Sequence, residues 1–433
     1  MAERTAAPAL MAFRGEPCAF ASPAAALAAC EAAARVGTLA VESVHLHEAR
    51  GRILATDVLL PRDSPPFDHS AMDGYAIAAP TVDASATLTV VGESCIGRAP
   101  PTLGVAGAAI RISTGAPLPE GTDRVIRRED VHEFSAGGGS VSSITVSAGS
   151  LARSRSGENV RRRAENAKAG SVAVAAGTTL TGAHIGAIAA CGLDTISVRP
   201  LLSLAIVTTG DELAPLGTQA DAYAIHDSNG PALYALASAH RWLCVAPPRR
   251  LHDDSAALAS ALREILPETD ALILTGGVSM GHRDPVRAAL EVLGARMLFH
   301  GLPQRPGKPM LAAIIDRAAS RPLLIFGLPG NPLSAMVTAT RIAVPAIAAL
   351  AGAAASLIPA RVVLAHDDGK RLDLWWHRPV RITDAGTAEF VGHRGSGDLI
   401  ASAASDGFVE LPPRNSAADA TFPGSALYFP WPR

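Results

Sequence analysis

The second half of the chain alternates short apolar runs with helix-forming stretches, and this rhythm restricts the fold more than any other feature. Leu204–Val207, Trp242–Val245, Ala271–Leu274 and Leu323–Phe326 read as strands. Residues 231–240, 254–265, Asp284–Leu293 and the stretch from Leu333 onward read as helices. Strands separated by helices predict a mostly parallel, doubly wound sheet covered on both faces, because joining parallel strands takes a crossover long enough to form a helix. Ligands on such sheets bind beyond the carboxyl ends of the strands. The strong polar motifs of this half fall at such ends, so a site is expected there.

The flanking regions have a different pattern. Residues 24–35 are Ala-rich and read as a helix. Within 80–150, β-type runs such as Thr87–Val91 and Val141–Val146 are separated by Gly, Pro and Ser and predict a small β domain; 136–157, rich in Gly and Ser, reads as a hairpin end and exit linker. Beyond residue 360 the runs Arg361–Leu364, Asp373–Trp376, Phe390-Val391, Phe408–Leu411 and Leu427–Phe429 predict a C-terminal β domain.

Composition removes several classes of function. Thirty-eight basic against 40 acidic residues leave a formal charge of −2, which provides no general field for a nucleic-acid backbone. An apolar fraction of 48% excludes global disorder. Five Cys, at 18, 30, 95, 191 and 244, form no C-x-x-C. That spacing argues against a disulfide framework or structural zinc and fits a reducing cytoplasm. The first 20 residues have no apolar signal-peptide core. Residues 342–360 are uncharged but mostly Ala, interrupted by Pro345 and Gly352, and read as a core helix and linker, not a membrane span.

Several motifs could carry chemistry. Leu323 to Pro332 (LLIFGLPGNP) is a strand, a rigid turn and a helix start, where outward-facing N–H groups and the helix dipole favour an anion. Ala271 to Gly281 (ALILTGGVSMG) ends a strand in Gly276-Gly277, which lets a phosphate or flat ring lie against the main chain. Its Gly277 to Gly281 also matches the G-x-S-x-G nucleophile elbow, so a serine hydrolase using Ser279 is a rival reading; no ordered acid and His partners accompany it. Thr208-Thr209-Gly210-Asp211-Glu212 offers adjacent carboxylates for Mg²⁺ or a helix cap, and Asp253-Asp254 has the same ambiguity. Gln304 to Pro309 (QRPGKP) is a basic turn suited to a phosphate or oxyanion, and Gly157 to Arg163 (GENVRRR) is a compact basic cluster. Phe67 to Ala76 (FDHSAMDGYA) concentrates polar groups in a segment with little periodicity.

Taken together, Asp68 to Tyr75, Ser113 to Pro117, Gly157 to Arg163, Thr209 to Glu212, Gly276 to Ser279, Pro306 to Pro309 and Gly327 to Pro332 resemble the molybdopterin molybdotransferases, the family of bacterial MoeA and the gephyrin E domain. The motifs keep the family's order across roughly residues 20–345. The resemblance implies an elongated domain (1–62 and 152–200), an inserted β lid (63–151), an α/β molybdopterin-binding domain (201–347) and a C-terminal β barrel (348–433). It also implies a homodimer whose active site lies between the α/β domain of one subunit and the lid region of the other. The implied reaction takes adenylylated molybdopterin and molybdate and yields molybdenum cofactor and AMP, with Mg²⁺. An upstream molybdopterin adenylyltransferase and molybdoenzyme chaperones are the implied partners.

By motif position, Asp73, Glu212 and Asp284 take metal or catalytic duty, with Asp253 a fourth acid that Asp254 could replace. Thr114, Arg161, Gly276, Gly277, Ser279, Arg305, Lys308, Pro329, Gly330 and Pro332 take substrate or molybdate. The chain departs from the family at Asn166, where an acid is usual, and at Gly301, where many members have Lys. Both departures leave room for a slower paralogue or a different preferred metal such as tungstate, Asn166 also leaves room for a non-catalytic molybdopterin-binding scaffold, and nothing in the sequence separates molybdate from tungstate.

Overall fold

The computed structural model describes residues 20–35, 39–78, 86–135, 141–278, 284–317, 321–354, 359–414, 416–420 and 424–432. The chain forms two compact units: Met1–Thr56, Ala175–Ala189 and Leu193–Arg433 make one, and Asp57–Val174 with Ala190–Gly192 makes the other.

The first unit is built on a sheet whose strand order is Leu243–Val245, Leu202–Thr209, Ala271–Thr275, Leu323–Leu328, Leu311–Ile315, Arg296–His300, with Arg249–Leu251 extending the first edge. All neighbours pair in parallel except at Leu311–Ile315, which runs against both of its neighbours. The sheet is therefore parallel with one reversed strand, and Arg296–His300 points the same way as the central strands. Both faces are buried. Leu204 and Ile206 face one core, with Leu233, Leu236 and Ile347 from the helices above, while Ala205 and Val207 face another with Leu258, Leu262 and Leu290. Residues of successive parity pointing into opposite cores explain why the strands read as continuous apolar runs.

The helix at Pro23–Ala34 starts at a Ser22 cap and buries Ala26, Cys30 and Ala34, spaced one helical turn apart, in the first of these cores. Burial, with Glu31 nearby, pushes the Cys30 thiol up to about 12, so it stays protonated and inert. The apolar stretch Pro332–Leu350 is long enough to span a bilayer, but 78% of it is buried in the unit; Ala339–Ala343 within it is a π-helical turn.

A second sheet in the same unit is formed by Trp375–Ile382, Gly407–Leu411, Ser425–Pro430, Ala360–Val363 and Ala388–Phe390. Gln304–Arg305, part of the α/β connection, joins it as a parallel strand on Trp375–Trp376. A buried ionic triad also holds the two layers together. Arg341 Nε donates to Glu410 (2.7 Å), and His377 Nε2 lies 3.0 Å from the same oxygen. Their exposures are 5%, 6% and 0%. Burial pushes Glu410 upward, but the His377 hydrogen bond and the Arg341 charge override it and lower the carboxyl to about 2.

The second unit is a curled sheet in the order Arg124–Arg127, Gly74–Ile77, Ala108–Ile112, Ala86–Ser94, Val141–Val146, Val131–Ser135. Tyr75, on the second strand, is 1% exposed and donates its hydroxyl to Glu133 on the last strand (2.8 Å), which ties the curl across its core. Val141–Val146 is a ladder strand, as its β-type run predicts, whereas Ala148–Arg153, expected to be linker, is a short helix capped by Ser147. Residues 136–140 lie outside the described residues.

Candidate active site

In the first unit the carboxyl ends of the strands gather the polar motifs at one edge. Leu202–Thr209 runs into Gly210 to Glu212, Ala271–Thr275 into Gly276-Gly277, and Leu323–Leu328 into Pro329 to Asn331. Because Arg296–His300 is codirectional with them, the connection bearing Arg305 and Lys308 emerges at the same edge. Gly276 and Gly277 have φ of +87° and +60°. A Cβ on Gly276 would lie 2.0 Å from the Thr209 carbonyl oxygen, and one on Gly277 2.7 Å from Thr209 Oγ1. Only glycine permits this turn.

Neighbouring loops are stitched together by residues that the sequence reading did not single out. Asn229 Nδ2 donates to Thr275 Oγ1 (3.0 Å) and to the Gly330 carbonyl (2.8 Å), and Thr275 Oγ1 donates to Pro329 O (3.1 Å). Asp227 accepts from Thr208 Oγ1 (2.8 Å) and Gly230 N (2.9 Å). The sequence signal for both was Asp227-Ser228-Asn229 immediately before an apolar helix.

The acids fall into different roles. The Glu212 carboxylate is exposed and folds back over Gly210, where a Cβ would begin 2.8 Å from both oxygens. Asp211 pairs with His252 at 2.9 Å, and that hydrogen bond holds its carboxyl below the usual range. Asp254 caps Ser255–Ile265 by accepting from Ala257 N at 2.7 Å. Asp253 Oδ1 instead lies 3.2 Å from the point where a Gly277 side chain would begin. Asp284 is 9% exposed, caps Pro285–Val292 through Arg287 N (2.9 Å), and has its second oxygen 3.8 Å from His300 Nε2. Burial biases His300 toward its neutral form, against the pull of Asp284. Ser279 lies outside the described residues.

Among the described residues, no three His, Cys, Asp or Glu side chains converge tightly enough to hold a metal on their own. The oxygens present still suit Mg²⁺. The Asp253 carboxylate borders the Gly277 turn, beside the buried and unpartnered Thr209 Oγ1, and Glu212 lies on the adjoining strand end. Mg²⁺ commonly takes one or two carboxylates and completes its shell with water and substrate phosphate.

The basic turn is rigid. Leu302 N donates to Lys308 O (2.8 Å), and Gly307, at φ +92°, packs so closely on Thr338 that a Cβ would approach it to 2.3 Å. Arg305 and Lys308 are exposed. With Pro329, Asn331, Ser334 and Ser396 they line a cavity of about 260 Å³. The helix starting at Pro332 does not offer all its first N–H groups to an anion as expected. Leu333 N donates to Ser396 O (3.0 Å), and the Asn331 side chain donates to Ser396 Oγ (3.0 Å). A loop of the C-terminal domain has taken that donor.

In the second unit Asp73 is exposed and accepts at Oδ1 from both Thr114 N–H (2.7 Å) and Thr114 Oγ1 (3.0 Å), bonds that hold its carboxyl below the usual range. Ser70 exchanges backbone bonds with Gly115 and Ala116, and His69–Ser70 pairs with Val160–Arg161, so three separate motifs meet here. The triple arginine is not an open cationic patch. Arg161 pairs with Glu165 (2.9 Å) and donates to Asn166 (2.7 Å), Arg162 pairs with Asp68 (2.7 Å), and Arg163 with Asp63 (2.5 Å). Ala164, next in the chain, has φ +62°.

Comparison with known proteins identifies the family. Residues 21–192 match the MoeA N-terminal region (domain I and II), and residues 205–349 match the probable molybdopterin binding domain. A molybdopterin molybdenumtransferase of Haemophilus influenzae is 34% identical over 312 residues, covering 72% of this chain and 73% of its own. One from Nostoc sp. is 35% identical over 387 residues, covering 86% and 85%. The crystal structure of a molybdopterin biosynthesis MoeA protein from Pyrococcus horikosii superposes with a TM-score of 0.65 at 26% identity, over 90% of this chain and 94% of that one. At this identity and coverage the chain belongs to the MoeA family, in which the Haemophilus influenzae and Nostoc relatives are named molybdopterin molybdenumtransferases.

Proposed function

We propose that the chain transfers molybdenum from molybdate to adenylylated molybdopterin and releases AMP, leaving molybdenum cofactor. The observation that carries this reading is the single sheet edge bearing a glycine cradle, a basic cavity and acids of the same motif set. Arg305 and Lys308 bind oxyanions or phosphates. Gly276, Gly277, Pro329 and Gly330 let the substrate approach the main chain. Glu212 and Asp253 are the carboxylates that would hold Mg²⁺. Bound there, the ion would polarise the phosphoanhydride for cleavage. Asp284 orders the Pro285 helix beside the cradle, and Thr114 fixes Asp73.

The test is AMP release from adenylylated molybdopterin with Mg²⁺ and molybdate. Wild type releases AMP, and Asp73→Ala and Glu212→Ala release none while keeping wild-type melting curves. A wild-type chain that binds molybdopterin and never releases AMP would be a scaffold, and the reading falls. We further propose that the active species is a homodimer. Light scattering reads its mass, and mixing the Asp73→Ala and Glu212→Ala chains restores part of the activity when two copies share a site.

A further inference from the structure

Thr209 ends a central strand of the α/β sheet. It is 2% exposed, and its hydroxyl makes no hydrogen bond. A buried hydroxyl without a partner is destabilising, whereas valine has the same shape and no such penalty. The position thus retains a donor that the folded chain does not use.

Its surroundings indicate what would use it. The points where side chains of Gly276 and Gly277 would begin lie 3.1 and 2.7 Å from Thr209 Oγ1, and Asp253 Oδ1 is 3.2 Å from the second of them. The hydroxyl therefore lies under the bare two-glycine turn, beside a carboxylate. A ligand there must supply a strong acceptor for the hydroxyl proton. Next to Asp253 it must also be accompanied by positive charge, since a bare anion would be repelled. A phosphate oxygen carried with a divalent cation meets both conditions.

We propose that Thr209 is a substrate-contacting residue whose hydroxyl donates a hydrogen bond to a phosphate oxygen of the adenylyl group seated on the Gly276-Gly277 turn. The assignment rests on the function proposed above and adds a contact to it. Thr209→Val removes the donor and keeps the shape, and Thr209→Ser keeps the donor. A hydrogen bond to a charged acceptor predicts about 10- to 100-fold weaker calorimetric binding of AMP with Mg²⁺ in the valine variant. Single-turnover AMP release slows alongside, the variant melts no lower than wild type, and serine restores most of the binding. Wild-type binding by the valine variant overturns the proposal. So does a valine variant that melts early and is not rescued by serine, because that marks a packing role. A wild-type chain that binds AMP with Mg²⁺ yet releases none from the adenylylated substrate refutes the overall function and leaves the Thr209 contact standing.

Discussion

Adjacent residues of one type do different work here. Asp254 caps a helix, while Asp253 faces the two-glycine turn. Asp254→Ala should therefore cost about 1 kcal/mol in urea denaturation and leave AMP release per folded molecule unchanged. Asp253→Ala should do the reverse, with little change in midpoint and a large fall in AMP release. The sequence names both acids but cannot apportion them, since a cap is defined by which N–H the carboxylate meets. Arg161, Arg162 and Arg163 teach the same lesson. Arg161 pairs locally with Glu165, but the partners of Arg162 and Arg163, Asp68 and Asp63, are distant in sequence, so a run that looks like a cationic patch is in the fold a row of ion pairs. Thr209 was read only as part of the Thr209 to Glu212 motif, with no role of its own, because an unpaired hydroxyl is a property of its surroundings and not of its type.

The central strands were legible because both of their faces are buried, which leaves uninterrupted apolar runs, and the helices between them because of their length and composition. Leu311–Ile315 and Arg296–His300 were missed. The first is a continuous apolar run, but its two alanines carry little β-type signal, and the second has Arg and His at its ends, which break its hydrophobic continuity. Gln304–Arg305 could not be read as a strand at all, since its partner belongs to the C-terminal sheet. Local strain was equally hidden. Ala164 sits in the left-handed region at φ +62°, where a Cβ is unfavourable. Ala164→Gly should raise stability by about 1 kcal/mol, measured by thermal or urea unfolding, with the Arg162 and Arg163 ion pairs retained.

At the scale of the molecule, sequence patterning identified the α/β and β regions but not the links within the first unit. The Arg341–Glu410–His377 triad joins a π-helical turn to the C-terminal sheet and leaves no sequence trace, since isolated ionic residues in apolar runs have many explanations. Glu410→Gln leaves Arg341 buried without its counter-charge, at an expected cost of about 3–5 kcal/mol. The pH dependence follows from the lowered carboxyl. Glu410 contributes fully above its ordinary value of 4.5, and the contribution is lost as pH falls toward about 2. Denaturant midpoints of wild type and Glu410→Gln should thus differ most near neutrality and converge in acid. The Gln304–Arg305 ladder has a consequence for modularity. Arg305 is mounted on a rail supplied by residues 375–376, so a recombinant fragment stopping at 354 would retain its parallel sheet and present a slack loop in place of the basic turn. Shuffling this domain onto another scaffold therefore requires carrying along a strand found some 70 residues downstream in the same polypeptide.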